Sequence, residues 1–142
     1  MSIQLDHTIV PSRDKVAAAR MLAELLDVPW APSGIGPFAP VYLNDGLTLD
    51  FIETDKAFPI YHFCFRVEDA AFDAILGRIR AAGIAFRSTV RGADDGQVSP
   101  FMGGRSIYWN QPDGHQWEML TVSYARQDPT TVANAGDSRA LA

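Results

Sequence analysis

Four residues of this 142-residue chain are of types that could share one metal ion: His7 in LDHTIV, Asp50 in TLDFIE, His62 in YHFCFRV and Glu118 in HQWEML. Each lies in a run that alternates apolar and polar side chains, the period of a half-buried strand. Alone, each has an ordinary explanation, since a strand histidine is more often packed and a strand glutamate more often solvated. Together they put one imidazole or carboxylate into each of four strands, where a half-buried sheet rarely tolerates such groups unpaired. A divalent cation would neutralise them. Two His and one Glu leave coordination positions open to a substrate, and Asp50 as a fourth ligand still leaves room on a six-coordinate ion. Such an ion acts as a Lewis acid on a bound substrate, with Glu118 or Asp50 moving a proton.

Further residues could serve a substrate. In YHFCFRV the alternation turns Tyr61, Phe63 and Phe65 one way and His62, Cys64 and Arg66 the other, and the second face suits a cavity wall. Arg66 could hold an anionic group beside His62, or pair with a surface carboxylate; Arg105, after Gly103 and Gly104, could do the same. Trp30, Tyr42 and Phe101 are candidates for an aromatic pocket, although packing is the commoner fate of such residues. His115 precedes Glu118 by three, which in a strand places it on the opposite face. The glycine-containing segment from Arg91 to Gly104 reads as a surface loop that could cover a site.

The elements that must position these residues follow from the same periods. Ile3, Leu5, His7 and Ile9 form one face of a strand that Pro11 stops, with Ser12 as N-cap for the helix KVAAARMLAELLDV. The loop PWAPSGIGPFAP follows. PVYLN and LTLDFIE then form a hairpin across Asn44-Asp45-Gly46. After YHFCFRV, Asp69 caps AAFDAILGRIRAAG, which ends at Gly83. IAFRSTV, SIYWN and HQWEMLTVS are strands, the last two flanking the turn Gln111-Pro112-Asp113-Gly114. The order of elements repeats from near Tyr61. It predicts an α+β fold in which two βαβββ modules build a curved mixed sheet with helices on its outer face. The domain spans residues 1–125, and residues 126–142 read as a flexible tail.

Composition narrows the partners. Hydrophobic residues make up 47% of the chain and charged residues 20%, enough for a sizeable core. A net charge of -5 argues against nucleic acid or an anionic membrane as partner. Cys64 is the only cysteine, so no disulfide forms within the chain; it reads as a small core residue in a reducing compartment. Neither a signal peptide nor an apolar run long enough to span a bilayer is evident, and the expected location is cytoplasmic.

The opening strand LDHTIV, the half-way strand YHFCFRV and the closing hairpin IYWNQPDGHQWEML, in this order and spacing, resemble the vicinal oxygen chelate superfamily: glyoxalase I, bleomycin-resistance proteins, fosfomycin-modifying enzymes and extradiol dioxygenases. The hairpin is similar to the family ending aromatic-x-x-D-P-D-G-x-x-x-E, with Gln111 in place of the first Asp. The resemblance covers about Ile3 to Val122. It implies metal ligands at His7, His62 and Glu118, with Asp50 at the position where glyoxalase I carries a longer Glu. It also implies a homodimer with shared active sites, His7 and Asp50 from one subunit and His62 and Glu118 from the other; the sequence leaves a site within one chain equally open. The function implied is a glyoxalase-like metalloenzyme using Zn, Ni, Mn or Fe(II) on a small substrate, with lyase or isomerase chemistry favoured over thiol transfer or extradiol dioxygenation. The alternative is a non-catalytic bleomycin-resistance-type protein that binds a drug.

Overall fold

The computed structural model describes residues 2–125. The expected tail of residues 126–142 lies outside the described residues. By its internal contacts the chain divides into two units, Met1–Tyr61 and His62–Ala142, so the boundary falls where the repeat begins.

In the first unit, β1 (His7–Ser12) is followed by α1 (Lys15–Leu26), β2 (Phe38–Asn44) and β3 (Leu47–Glu53). The sheet order is β1-β3-β2, with β1 parallel and β2 antiparallel to β3. The unit is therefore mixed, as the α+β reading requires. The strand runs through Pro11 instead of stopping at it, and begins at His7 rather than Ile3. β1 is an edge strand, where a residue without an N–H can be accommodated at no loss to the ladder. Ser12 is not the helix cap; its hydroxyl donates to the Ile52 carbonyl at 3.1 Å. Asp14 caps α1 instead, its carboxylate accepting from the Ala17 N–H at 3.0 Å. Ala18, Ala19, Leu22 and Ala23 bury the apolar stripe of α1, which packs on all three strands. The hairpin forms as expected, with the Asn44 side chain accepting from the Gly46 N–H.

The second unit holds β4 (His62–Arg66), α2 (Asp69–Ala81), β5 (Phe86–Arg87), β6 (Ser106–Asn110) and β7 (Gln116–Leu120), in the sheet order β4-β7-β6-β5. Phe72, Ile75, Leu76 and Ile79 are the buried face of α2. Its N-cap is Glu68, which makes no side-chain capping bond, and Asp69 is the first helical residue. In the turn after β6 the substituted Gln111 accepts from the Asp113 N–H at 2.8 Å, the bond an Asp side chain would make there.

Both units thus trace strand, helix, and antiparallel strands returning to the first strand's side. In the first unit the strand after the helix has shrunk to one bridge, Trp30 to Val41, beside β2. Pro29 and Pro32 flank it and cannot donate to a ladder, which limits the pairing to that point. The expected curved sheet takes the form of two hydrogen-bonded sheets among the described residues, one of three strands and one of four.

Candidate metal and substrate site

Alternation on β4 turns Phe63 and Phe65 against Trp117, with ring centroids 5.5 Å and 5.9 Å away, and leaves His62, Cys64 and Arg66 on the other face. Cys64 is therefore exposed, correcting the expectation of a core thiol; the two phenylalanines have taken the core side. In the parallel ladder Cys64 lies opposite Glu118, and Glu118 in turn lies opposite Tyr108 on β6. This register carries a carboxylate into the middle of the sheet, where its side chain is 0% exposed.

Glu118 Oε2 is 3.2 Å from His62 Nε2 and accepts from the Tyr124 hydroxyl at 2.8 Å. Its other oxygen, Oε1, is buried with no hydrogen-bond partner. Burial opposes the charge on Glu118. The His62 and Tyr124 bonds, helped by the neighbouring Tyr108 phenol, outweigh it and hold the carboxyl below its usual range. His62 shifts the other way: the bond to Glu118 raises its pKa against the effect of burial, with Gln116 and the Glu118 charge adding to the rise. Burial and the same carboxylate push the Tyr124 phenol up, so it remains a donor. His62 Nδ1 lies 2.6 Å from Gln116 Oε1.

The first unit presents a second pair. His7 and Asp50 line one cavity of about 350 Å³ with Asp6, Ile35, Phe38, Pro40, Tyr42 and Thr48. The Asp6 carboxylate bonds His7 Nδ1 at 2.7 Å and raises its pKa against the effect of burial, with the Asp6 and Asp50 charges adding to the rise. The lining joins the polar Asp6, His7, Thr48 and Asp50 to the apolar Ile35, Phe38 and Pro40, a mixture that fits a largely apolar substrate carrying oxygens.

The four ligand candidates therefore come as two pairs, His62 with Glu118 and His7 with Asp50. Among the described residues no three His, Cys, Asp or Glu side chains gather closely enough to hold a metal alone. The donor set of the second unit nevertheless fits part of a metal's shell. A buried carboxylate oxygen without a partner, beside an imidazole nitrogen, is the arrangement a cation would satisfy.

The substrate candidates scatter. Tyr42 lines the His7 cavity. Trp30 makes its bridge to β2 and lies beneath the Arg20 guanidinium at 5.8 Å. Phe101 stands edge-on to Tyr124 at 5.7 Å. Arg105 is bound to Asp73 at 2.6 Å and Asp69 at 3.0 Å, with its guanidinium over Phe72, and so ties the start of β6 to α2. Arg66 and Arg105 line another cavity, of about 600 Å³, together with Glu68, Asp69, Gly103 and Gly104. His115 is fully buried against Trp117, opposite in facing to Glu118 as alternation requires. Sequence reasoning missed Tyr124 and Gln116. Gln116 was visible as the neighbour of His62's face two residues before Glu118, whereas nothing local marks Tyr124.

No family model and no curated protein matches the sequence. Solved structures do. The chain is 39% identical to Oxidase ChaP-H2 with a TM-score of 0.83, the match covering 88% of this chain and 98% of that one. To Oxidase ChaP-H1 it is 38% identical with a TM-score of 0.81, covering 87% and 99%. Lactoylglutathione lyase from Agrobacterium tumefaciens shares the fold at 17% identity, a TM-score of 0.61, and coverage of 85% and 94%. Fosfomycin resistance protein FosX from Mesorhizobium loti does so at 21% and 0.58, covering 87% and 93%.

Proposed function

Because the chain belongs to the vicinal oxygen chelate superfamily, we propose that it is a metal-dependent oxidase of a small, largely apolar substrate bearing adjacent oxygens. The observation that carries this reading is the buried Glu118 carboxylate, whose Oε2 lies 3.2 Å from His62 Nε2 and whose Oε1 has no hydrogen-bond partner. The relatives at 39% and 38% identity are both oxidases, which turns the preference from lyase chemistry toward oxidation. The lyase resemblance, at 17% identity, speaks for the fold alone.

In this reading His62 and Glu118 hold the metal on the face of β4 and β7, and His7 and Asp50 of a second copy complete its shell. A bound divalent ion, Fe(II) for an oxidase, supplies Lewis acidity and the means of passing electrons to dioxygen. Glu118 enters as the carboxylate, because His62 and Tyr124 keep its pKa low. Tyr124 donates to Oε2, so Oε1 is the oxygen that would remain available to a bound ion. Ile35, Phe38 and Tyr42 receive the apolar body of the substrate, and Asp50 takes a proton from a substrate hydroxyl. A drug-binding role without metal would instead need a cationic group of the drug to meet that oxygen.

The test starts with protein purified without chelator. Metal content is measured by mass spectrometry, and oxygen uptake is followed with the Fe(II)-loaded protein on catechols, enediols, hemithioacetals and epoxides. The reading predicts bound metal, oxygen uptake on one of the first two classes, and loss of both in His62→Ala. Absence of binding to Fe(II), Zn, Ni and Mn sinks it. Turnover of a hemithioacetal without oxygen uptake replaces oxidase by lyase.

A further inference from the structure

We propose that Gln116 is a positioning residue that locks the His62 ring in one tautomer, with a bare Nε2 turned toward Glu118. The proposal rests on the metal reading above, but the geometry behind it involves no metal. Gln116 is the register partner of His62 in the parallel ladder of β4 and β7. One end of its amide lies 2.7 Å from the Val90 carbonyl oxygen. A carbonyl can only accept, so the amide atom facing it is the nitrogen. The amide oxygen then faces His62 Nδ1 at 2.6 Å, and since that oxygen can only accept, Nδ1 carries the proton. A neutral imidazole has one N–H, so Nε2 presents a lone pair to Glu118 Oε2 at 3.2 Å. Two acceptors at this distance need a further proton between them or a cation close to both.

The amide is itself held by a built loop. Val90 O also accepts from Arg87, whose guanidinium bonds Asp94 and Asn110. Ser88 bonds Asp95 on the same stretch. The segment after β5, read from sequence as a surface loop or lid, thereby sets the donor end of the Gln116 amide and through it the ring of His62. Orientation of a ligating His through its second nitrogen is a general means of raising metal affinity.

Nitrogen-15 NMR of the imidazole reads the tautomer in metal-free protein, at a pH where His62 is neutral, and calorimetry reads Zn(II) affinity. The expected wild-type result is the Nδ1–H form. Gln116→Leu should lose that preference and weaken Zn(II) binding by roughly 10- to 100-fold. Gln116→Glu keeps an acceptor for Nδ1 while giving up the bond to Val90, so it should restore both the tautomer and most of the affinity. If Gln116 only pins the loop, the Glu variant will bind as poorly as the Leu variant, and the idea fails. An Nε2–H tautomer in the wild type overturns it outright, even where no variant folds. Failure of Zn(II) binding in the wild type with the Nδ1–H form present would instead count against the metal reading and leave the positioning intact.

Discussion

At the scale of single residues the informative group is Glu118, because a fully buried carboxylate oxygen without a partner costs stability. Replacing Glu118 by Gln removes the charge and keeps an oxygen for Tyr124. The metal-free variant should be less stable than the wild type near neutral pH, by an amount on the order of 1 kcal/mol, because the fold favours the charged carboxyl. Its thermal stabilisation by Zn(II) should vanish. The pair with His62 also gives metal-free protein a pH signature. The folded pKa of His62 is raised, so its contribution is full below the usual 6.5 and is lost as pH rises through the raised value. That of Glu118 is lowered, so its contribution is present above the usual 4.5 and is lost as pH falls through the lowered value. Urea midpoints of chelator-treated protein should therefore peak in the acid window between the two, and His62→Gln should flatten the alkaline flank. Midpoints of the two proteins that run parallel across the whole range would show that the pair adds nothing to folding.

At the scale of elements the local rules were mostly legible, and their failures have local causes. Ser12 and Asp14 are both good cap residues, and reading Pro11 as a stop selected the wrong one. Asp14→Ala should cost about 1 kcal/mol by urea unfolding, since it strips the Ala17 N–H of its acceptor. Ser12→Ala tests a different bond, the one to Ile52 on β3. Gly104 illustrates a requirement no pattern announces. A Cβ there would lie 2.7 Å from Val122 Cγ2 and 2.8 Å from Thr121 Oγ1, although the backbone at Gly104 is extended. Gly104→Ala should destabilise by about 1–3 kcal/mol through crowding alone, measured the same way. A stability unchanged within error would mean the strand end yields freely.

At the scale of the whole molecule the apolar face of β1 differs from its sequence reading. Ile3 and Leu5 precede the strand and are exposed, and Ile9 is 45% exposed, so this face is not an ordinary core face. A second copy meeting His7 and Asp50 with its own His62 and Glu118 would use both the apolar residues and the divided ligand pairs. Mixing His7→Ala with His62→Ala chains tests it. Random reassortment leaves about half of the dimers mixed, each with one intact site, so metal binding should return to about a quarter of the wild-type sites. Titration calorimetry counts them; no recovery from mixed, reassorted chains rules out ligands from two copies. Among the described residues no helix is long and apolar enough to cross a membrane.

Sequence alone determined the order of strands and helices, the boundary near Tyr61, the hairpin at Asn44 and the faces on which His7, Asp50, His62 and Glu118 stand. These follow from the two-residue period of a strand and the 3.6-residue period of a helix, which are local. Tertiary structure decided which of those faces meet. The register of β4 on β7 set Gln116 opposite His62, the chain beyond β7 brought Tyr124 to Glu118, and Asp69 and Asp73 captured the Arg105 guanidinium. Each depends on pairing between segments far apart in the chain, and the period of one segment carries no information about the register of its partner.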